Sequence, residues 1–388
     1  IDFLKEALEV SADKNSVFSP LSISVALSLA AGGAKGTTLD QFCACLKSKD
    51  VHQLHGLSSH LINVILIDGS ARGGPLLSFV NGVWVEQSMT LKKNYRDLVK
   101  NRYNAEANSV NFMNICSLGP HFCTFLFLCA NEVRMAVNKW AEHESEGKID
   151  EFLSPDSVDE FTRLILANAL YFKGTWLKKF DPSATKDGTF NLLNGESVQV
   201  PMMTTKKKQF IKIFNECKIL RLPYLQGQDN RSFSMYVILP NDINGLPELE
   251  RKVDLNFLEH HLSQGSKVEV CSFQLPRFKI SSSVSATEIL KTMGLVLPFT
   301  EDADFDDMVE FYVDGNLYIS DVFHKSFVEV NEVGTEATAM TAVKIKLCCA
   351  RMYPIEDFIA DHPFMFVIKE DITGVILFVG HVLNPLET

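Results

Sequence analysis

The sequence predicts an α+β fold built as one large domain over residues 1–388. Three observations carry that expectation. Helical and strand patterns are intermixed, without the strict strand–helix–strand alternation of a parallel α/β sheet. No internal repeat and no Pro- or Ser-rich linker divides the chain. And 46% of the residues are hydrophobic, enough for a sizeable core.

The elements follow in chain order. SPLSISVALSLAAGG, from Ser19, reads as a deeply buried helix: Ser19 caps it, Pro20 takes its first position and Gly32-Gly33 stop it. It is apolar nearly all round, so it belongs inside. Residues 74–88 read as a long strand, LKKNYRDLVKNRYN as a basic helix, and residues 132–149 as an amphipathic helix. LILANALYFKGTW, Leu164 to Trp176, is a buried strand with one Asn inside it. The second half is mostly strands (QFIKIFNECKILRLPY, RSFSMYVILP, KVEVCSFQLPRFKIS, FHKSFVEVNEV, HPFMFVIKED and GVILFVGHVL), interrupted by a helical stretch from Leu246 to Leu262.

Composition excludes several functions. A formal charge of −11 argues against general nucleic-acid binding. No apolar run approaches the length of a spanning helix. Nine cysteines at irregular spacing suit reduced thiols better than a disulfide framework, and Cys43 and Cys45 lack a second ligand pair for zinc. The expected compartment is cytoplasmic or nucleocytoplasmic. Secretion stays open, because IDFLKEALEV reads as a helix already under way at residue 1. No GxSxG elbow, HExxH, phosphate loop or GxGxxG occurs. The basic runs at Lys92, Lys93, Arg96, Lys100 and Arg102 and at Lys206, Lys207 and Lys208 read as solvated faces.

The stretch EVGTEATAMTAVKIKL, from Glu332, is the unusual one. At period two, Thr335, Ala337, Ala339, Thr341, Val343, Ile345 and Leu347 form an uncharged set, while Glu336, Lys344 and Lys346 fall in the other. That is a half-buried strand pattern whose buried side begins with small residues.

FHKSFVEVNEVGTEATA, followed by ADHPFMFVIKEDITGVILFVGHVLNP, resembles the serpin family closely. FSPLSISVALSLAAGGAKGTTLDQ, LANALYFKGTW and LPRFKIS match its other characteristic stretches in order, across nearly the whole chain. GLVLPF, LPND and ADHPF look most like the plant branch. The resemblance implies the serpin fold: a central, mostly antiparallel sheet, two further sheets, eight or nine helices and an exposed reactive-centre loop at about 334–354. It also implies a suicide-substrate inhibitor, not an enzyme, with no cofactor or metal. A serine or papain-like cysteine protease is the expected target, with no nucleic-acid or membrane partner, and the protein is expected to be a monomer. A protease cuts the loop, forms an acyl-enzyme, and is dragged as the freed loop enters the sheet as a new strand. The alternation above then belongs to a structure the native state has not yet made.

Residue roles carry over by position. The resemblance puts the scissile bond between Cys348 and Cys349, with Lys346, Leu347 and Ala350 contributing specificity. Glu332, Gly334, Thr335, Glu336, Ala337, Thr338 and Ala339 match the hinge. Ser22, Asn168 and His324 match a polar cluster beneath the point where the sheet parts, Trp176 an aromatic at its top, and Arg277 with Glu332 a charge pair closing the same region. Two departures stand out. Asn114 to Asn131 replaces a short link with a greasy stretch, NICSLGPHFCTFLFLCAN, which reads as a translated intron or as an insertion that hinders loop entry. Cys348 stands where plant-like relatives commonly carry Arg, which leaves the target protease open. The alternatives are a non-inhibitory binding or storage protein and a thiol redox sensor using Cys348 and Cys349.

Overall fold

The computed structural model describes residues 2–112, 122–159, 161–263, 265–310, 316–335 and 355–388. In chain order the first half forms α1 (Asp2–Val10), β1 (Ser16–Phe18), α2 (Pro20–Ala31), α3 (Gly36–Cys45), α4 (Val51–His60), β2 (Leu76–Glu86), α5 (Lys93–Tyr103), β3 (Glu106–Val110), α6 (Phe122–Glu144) and β4 (Leu164–Lys173). Then come β5 (Lys186–Asn191), β6 (Ser197–Met203), β7 (Gln209–Ile213), β8 (Cys217–Pro223), β9 (Phe233–Pro240), α7 (Leu246–Lys252), α8 (Leu255–His261), β10 (Lys267–Pro276) and β11 (Phe278–Ser285). The chain continues through α9 (Thr287–Thr292), β12 (Asp321–Val330), β13 (Ile355–Ile359), β14 (Phe364–Glu370) and β15 (Ile376–Val382).

Two sheets result. One has five strands in the order β11-β12-β4-β2-β3, and the other runs β1-β15-β14-β9-β8-β7-β10-β6-β5, with β13 also on β10. The two further sheets expected from the resemblance are thus joined through β10, which pairs with β7 at Lys267 and Val268 and with β6 at Leu275 and Pro276. Most pairings are antiparallel, but the five-stranded sheet holds two parallel ones, β12 with β4 and β2 with β3.

α2 forms where the sequence places it. Ser19 is extended and its hydroxyl accepts the Ser22 amide, Pro20 fills the first turn, and the helix ends at Ala31. The glycines after it serve packing: a Cβ on Gly32 would sit 2.4 Å from the Leu98 side chain of α5. α2 lies in the main core, against the even-numbered face of β4 (Leu164, Leu166, Leu170). The odd-numbered face, Ile165, Ala167, Ala169 and Tyr171, packs instead with Val133, Val137 and Ala141 of α6. The five-stranded sheet is therefore covered on both faces.

α6 departs from expectation. It spans Phe122–Glu144 where the sequence pattern places a helix over 132–149, so the second half of the atypical stretch is helix, continuous with the amphipathic part. Residues 114–121 lie outside the described residues. Among the described residues no helix is long and apolar enough to cross a membrane, and no group of His, Cys, Asp and Glu could hold a metal ion. Cys43, Cys217 and Cys271 are free thiols.

A buried ion pair helps to tie the larger sheet. Arg221 on β8 meets Asp371 at 2.8 Å, and Asp371 also accepts the hydroxyls of Ser234 at 2.6 Å and Tyr236 at 2.7 Å. The Asp371 side chain is 3% exposed. Removing its cation leaves a buried charge uncompensated, at a cost of about 3 kcal/mol. Arg221→Met is expected to lower the melting temperature by on the order of 5 °C. Circular dichroism of the uncleaved protein tests this, and a shift below one degree would mean that the pair is dispensable.

Candidate functional site: the parallel seam and its mouth

β4 and β12 run side by side from Ile165 with Asp321 to Tyr171 with Phe327. Beyond that register they part company. Phe172 and Lys173 pair only with Leu77 and Leu76 of β2, while Val328 to Val330 pair only with β11. The seam is already open at its upper end.

Asn168, His324 and Ser22 come together in the middle of the seam. Asn168 is directly opposite His324 across it, and both are fully buried. The Ser19 amide donates to His324 Nε2 at 3.0 Å, so that nitrogen must be the acceptor. Nδ1 then carries the proton and donates to Asn168 Oδ1 at 3.0 Å. The Ser22 hydroxyl donates to the same Oδ1, and Ser326 Oγ lies 2.7 Å from His324 Nε2. Burial pushes the imidazole pKa down to about 3, which agrees with this neutral tautomer. Asn81 on β2 stands opposite Asn168 on the other side. Both polar atoms of its amide, and Asn168 Nδ2, find no partner among the described residues.

The second group closes the mouth. Residues 331–335 cross over the end of β4 and are held there by backbone bonds. Trp176 donates its amide to Val333 O at 2.8 Å, Phe180 to Glu332 O at 2.9 Å, and Thr335 to Gly174 O at 2.7 Å. Trp176 Nε1 reaches Asn331 O at 2.8 Å, while its ring stacks on Tyr224 with centroids 4.5 Å apart. Tyr224 OH lies 2.9 Å from Thr335 Oγ1. Gly334 is obligatory, because a Cβ there would lie 1.9 Å from Gly174 O. Arg277 Nε donates to Glu332 Oε1 at 2.7 Å, and the Thr185 hydroxyl donates to the same oxygen. Burial alone would raise the Glu332 pKa, but the Thr185 and Arg277 hydrogen bonds outweigh it and hold the carboxyl below its usual range.

Thus Ser22, Asn168 and His324 form one cluster, and Trp176, Arg277, Glu332, Gly334 and Thr335 another above it. Gly334 and Thr335, expected at the start of an exposed loop, are buried. Glu336, Ala337, Thr338, Ala339, Lys346, Leu347, Cys348, Cys349 and Ala350 lie outside the described residues. Sequence reasoning missed Asn81, Ser326, Thr185 and Tyr224, and read Ser19 as the cap of α2 without its bond to His324. Only Ser326 carried a signal, lying two residues from His324 and so on the same strand face.

Comparison with known proteins gives a consistent relationship. A family model described as Serpin (serine protease inhibitor) matches residues 1–385. Serpin-ZXA of Oryza sativa subsp. japonica is 49% identical over 379 residues, covering 97% of this chain and 91% of that protein. Serpin-ZX of Arabidopsis thaliana is 45% identical, covering 97% and 94%. The solved native stressed conformation of Arabidopsis AtSerpin1 superposes with a TM-score of 0.88 at 42% identity, covering 100% of this chain and 96% of that one. A thyroxine-binding globulin complex with thyroxine gives 0.82 at 25% identity, covering 99% and 97%.

His324 makes the cluster sensitive to acid. Its unfolded pKa is about 6.5, and burial lowers the folded value to about 3. Between those values the unfolded chain binds a proton that the folded protein refuses. The contribution is therefore complete above pH 6.5 and is lost as pH falls. His55, held at about 4 by burial, acts in the same direction. His324→Gln should lose about 2 kcal/mol less than the unsubstituted protein between pH 7 and pH 5. Melting curves at the two pH values measure this, and equal losses would mean that His324 is not the sensitive group.

Proposed function

The chain belongs to the serpin family of serine protease inhibitors, and from that premise we propose that it is a suicide-substrate inhibitor of serine or papain-like cysteine proteases. The observation that carries this reading is the seam. Two parallel strands are joined at mid-length by a small polar cluster, are already parted above it, and are capped by the segment that leads into the alternating stretch. A strand entering between β4 and β12 would follow directly from Thr335.

The protease nucleophile attacks the Cys348 carbonyl, and the bond to the Cys349 nitrogen breaks. That amine leaves with a proton as a new N-terminus, and Cys348 remains as an ester on a serine or a thioester on a cysteine. Freed at one end, the loop enters the seam. Roughly a dozen inserted residues, at about 0.5–1.5 kcal/mol net per backbone hydrogen bond, supply on the order of 10 kcal/mol. That rivals the stability of an ordinary domain, so the uncleaved fold is kinetically held. Small Thr335, Ala337 and Ala339 lead, because bulk or charge on the inward face would stall entry.

Cleavage within 346–350 is expected to raise the melting temperature by tens of degrees, reflecting the added strand. An unchanged curve after verified cleavage would sink the trap and leave a binding, storage or redox protein. The second expectation concerns the address. A small apolar Cys348 does not fill an acidic specificity pocket, so Cys348→Arg should convert trypsin from a non-target into a protease held in a denaturant-stable complex. A variant that trypsin cuts without any complex would show that the trap itself is defective.

A further inference from the structure

The five-stranded sheet ends at β3, which pairs with β2 on one side and, among the described residues, with no strand on the other. The register says which groups that edge offers. Gln87 donates its amide to Val110 O at 2.8 Å, so Val110 turns its backbone toward β2, with Glu106 and Asn108 in the same phase. Ala107 and Ser109 then direct their amides and carbonyls outward. Edge strands are commonly guarded by Pro, Lys or a bulge, but β3 reads EANSV and its register is unbroken. A groove of about 520 Å3 lies against this edge, lined by Ala105 to Asn108 and by Arg96 and Lys100 of α5. Its charge has a sign. In a chain of formal charge −11, Lys92, Lys93, Arg96, Lys100 and Arg102 stand against a single acid, Asp97. Two carboxylates also border the groove, and each is engaged within its own element. Glu106 accepts from Asn108 Nδ2 at 3.2 Å, and Glu144 lies 3.0 Å from His143 Nδ1. Arg96 and Lys100 are answered by no carboxylate among the described residues.

We propose that this edge is a docking surface for an extended acidic segment of a partner protein, which adds to the sheet as a sixth strand and sets its carboxylates on Arg96 and Lys100. In strand addition the main-chain bonds supply affinity, and alternate side chains supply specificity. The outward groups of Ala107 and Ser109 provide the first, over an edge of roughly 17 Å at about 3.3 Å per residue. The cations provide the second. Arg96 and Lys100 stand one turn apart on one face of α5, a rise of about 6 Å. Carboxylates at every second position of an added strand are about 6.6 Å apart, which matches that spacing. A guanidinium also takes a carboxylate through two parallel bonds, so Arg96 favours this anion over a diffuse one. β2 and β4 separate β3 from the seam. A partner docked there leaves the entry line between β4 and β12 free, and the docking does not rest on the inhibitory function proposed above.

The probe is a fluorescein-labelled heptapeptide of alternating Val and Glu, blocked at both ends and followed by anisotropy as the uncleaved full chain is added at constant ionic strength. One-to-one binding is expected. A peptide with Lys in place of Glu should bind about tenfold more weakly or worse. So should a Pro-Glu peptide of the same charge, which favours a polyproline helix and lacks half of its amides. Equal binding of the Pro-Glu peptide would show that charge alone attracts it, and would overturn the strand addition. In the protein, Arg96→Gln combined with Lys100→Gln should weaken binding about tenfold, whereas Lys206→Gln, on the β6–β7 turn of the other sheet, should not. Ser109→Pro removes an outward amide that the sheet does not use, so the melting curve should hold while binding falls. The Ala107 and Ser109 amides should exchange more slowly in the complex. Absence of binding, undiminished affinity in the double variant, or unslowed exchange at both amides would overturn the site. Sedimentation of the protein alone tests the other occupant. A dimer that Ser109→Pro abolishes would place a second copy on this edge and overturn the acidic partner. No readout involves a protease, so failure here and failure of the inhibitor reading remain distinct.

Discussion

The parallel contact between β4 and β12 is the constraint on which the rest of the molecule depends. Parallel neighbours cannot be joined by a hairpin, and here every strand from β5 to β11 intervenes between them in the chain. No local turn holds the seam shut, so its closure is a tertiary matter. It is set by α2 on one face, α6 on the other, and residues 331–335 across the top. On either side the strands are better anchored, with β11 paired to β12 from Phe278 to Ser285 and β2 paired to β4 along nearly its whole length. Stress applied to the sheet falls on the weakest line.

The chemistry of that line is polar where an ordinary core would be aliphatic. Leu or Val at positions 22, 168 and 324 would bury the same volume without the need for partners. The polar set instead depends on geometry: one Asn oxygen accepts from both Ser22 and His324, and His324 also takes the first free amide at the start of α2. Such a network is satisfied in one arrangement and fails when the strands shift by an ångström or two, which makes closure all-or-none. It is also incompletely satisfied. The Asn81 amide and Asn168 Nδ2 lack partners among the described residues, and each such buried group costs about 1–3 kcal/mol.

Much of this was legible in the sequence, and the gaps have physical causes. α2 announced itself through Ser19 and Pro20, and β4 through an apolar run broken once by Asn168. The small-first alternation from Thr335 could be read without a fold. Register could not. Asn81 sits in an apolar strand, and nothing local says that it will face Asn168 across β2 and β4. The partners of the hinge are equally remote in sequence, as Tyr224 with Thr335 and Thr185 with Glu332 illustrate. The early start of α6 had a visible signal. Gly119-Pro120 breaks the chain, and no Gly or Pro follows until Gly147, so a helix begun at Phe122 has no reason to stop before Glu144. Greasiness at an unusual place points to an irregular insertion, but the absence of breakers is the stronger signal.

α6 bears on how the seam can open. It lies over the odd-numbered face, and the seam residues beneath it on β4 include Ala167 and Ala169. Alanines offer little area, so the contact at the middle of the seam is thin, although Ile165, Tyr171 and Phe323 flank it with larger apolar surface. Some of the helix's tethers are of the kind that part easily. Lys325 on β12 donates to the backbone carbonyls of Asp150 and Glu151 just beyond the helix, and Asn138 accepts from the Leu153 amide at 2.6 Å. The Lys325 bonds lie near solvent, where water can replace them as they break, whereas the Asn138–Leu153 bond is part-buried. The firmer hold is at one end, where Trp140 of α6 meets Trp84 of β2 edge to face at 4.5 Å. β2 lies on the far side of β4 from the seam. A strand entering between β4 and β12 could therefore displace the cover over β12 while the helix stays fastened to β2. On the function proposed here, α6 is then a hinged cover, and its extension back to Phe122 lengthens the part that must move.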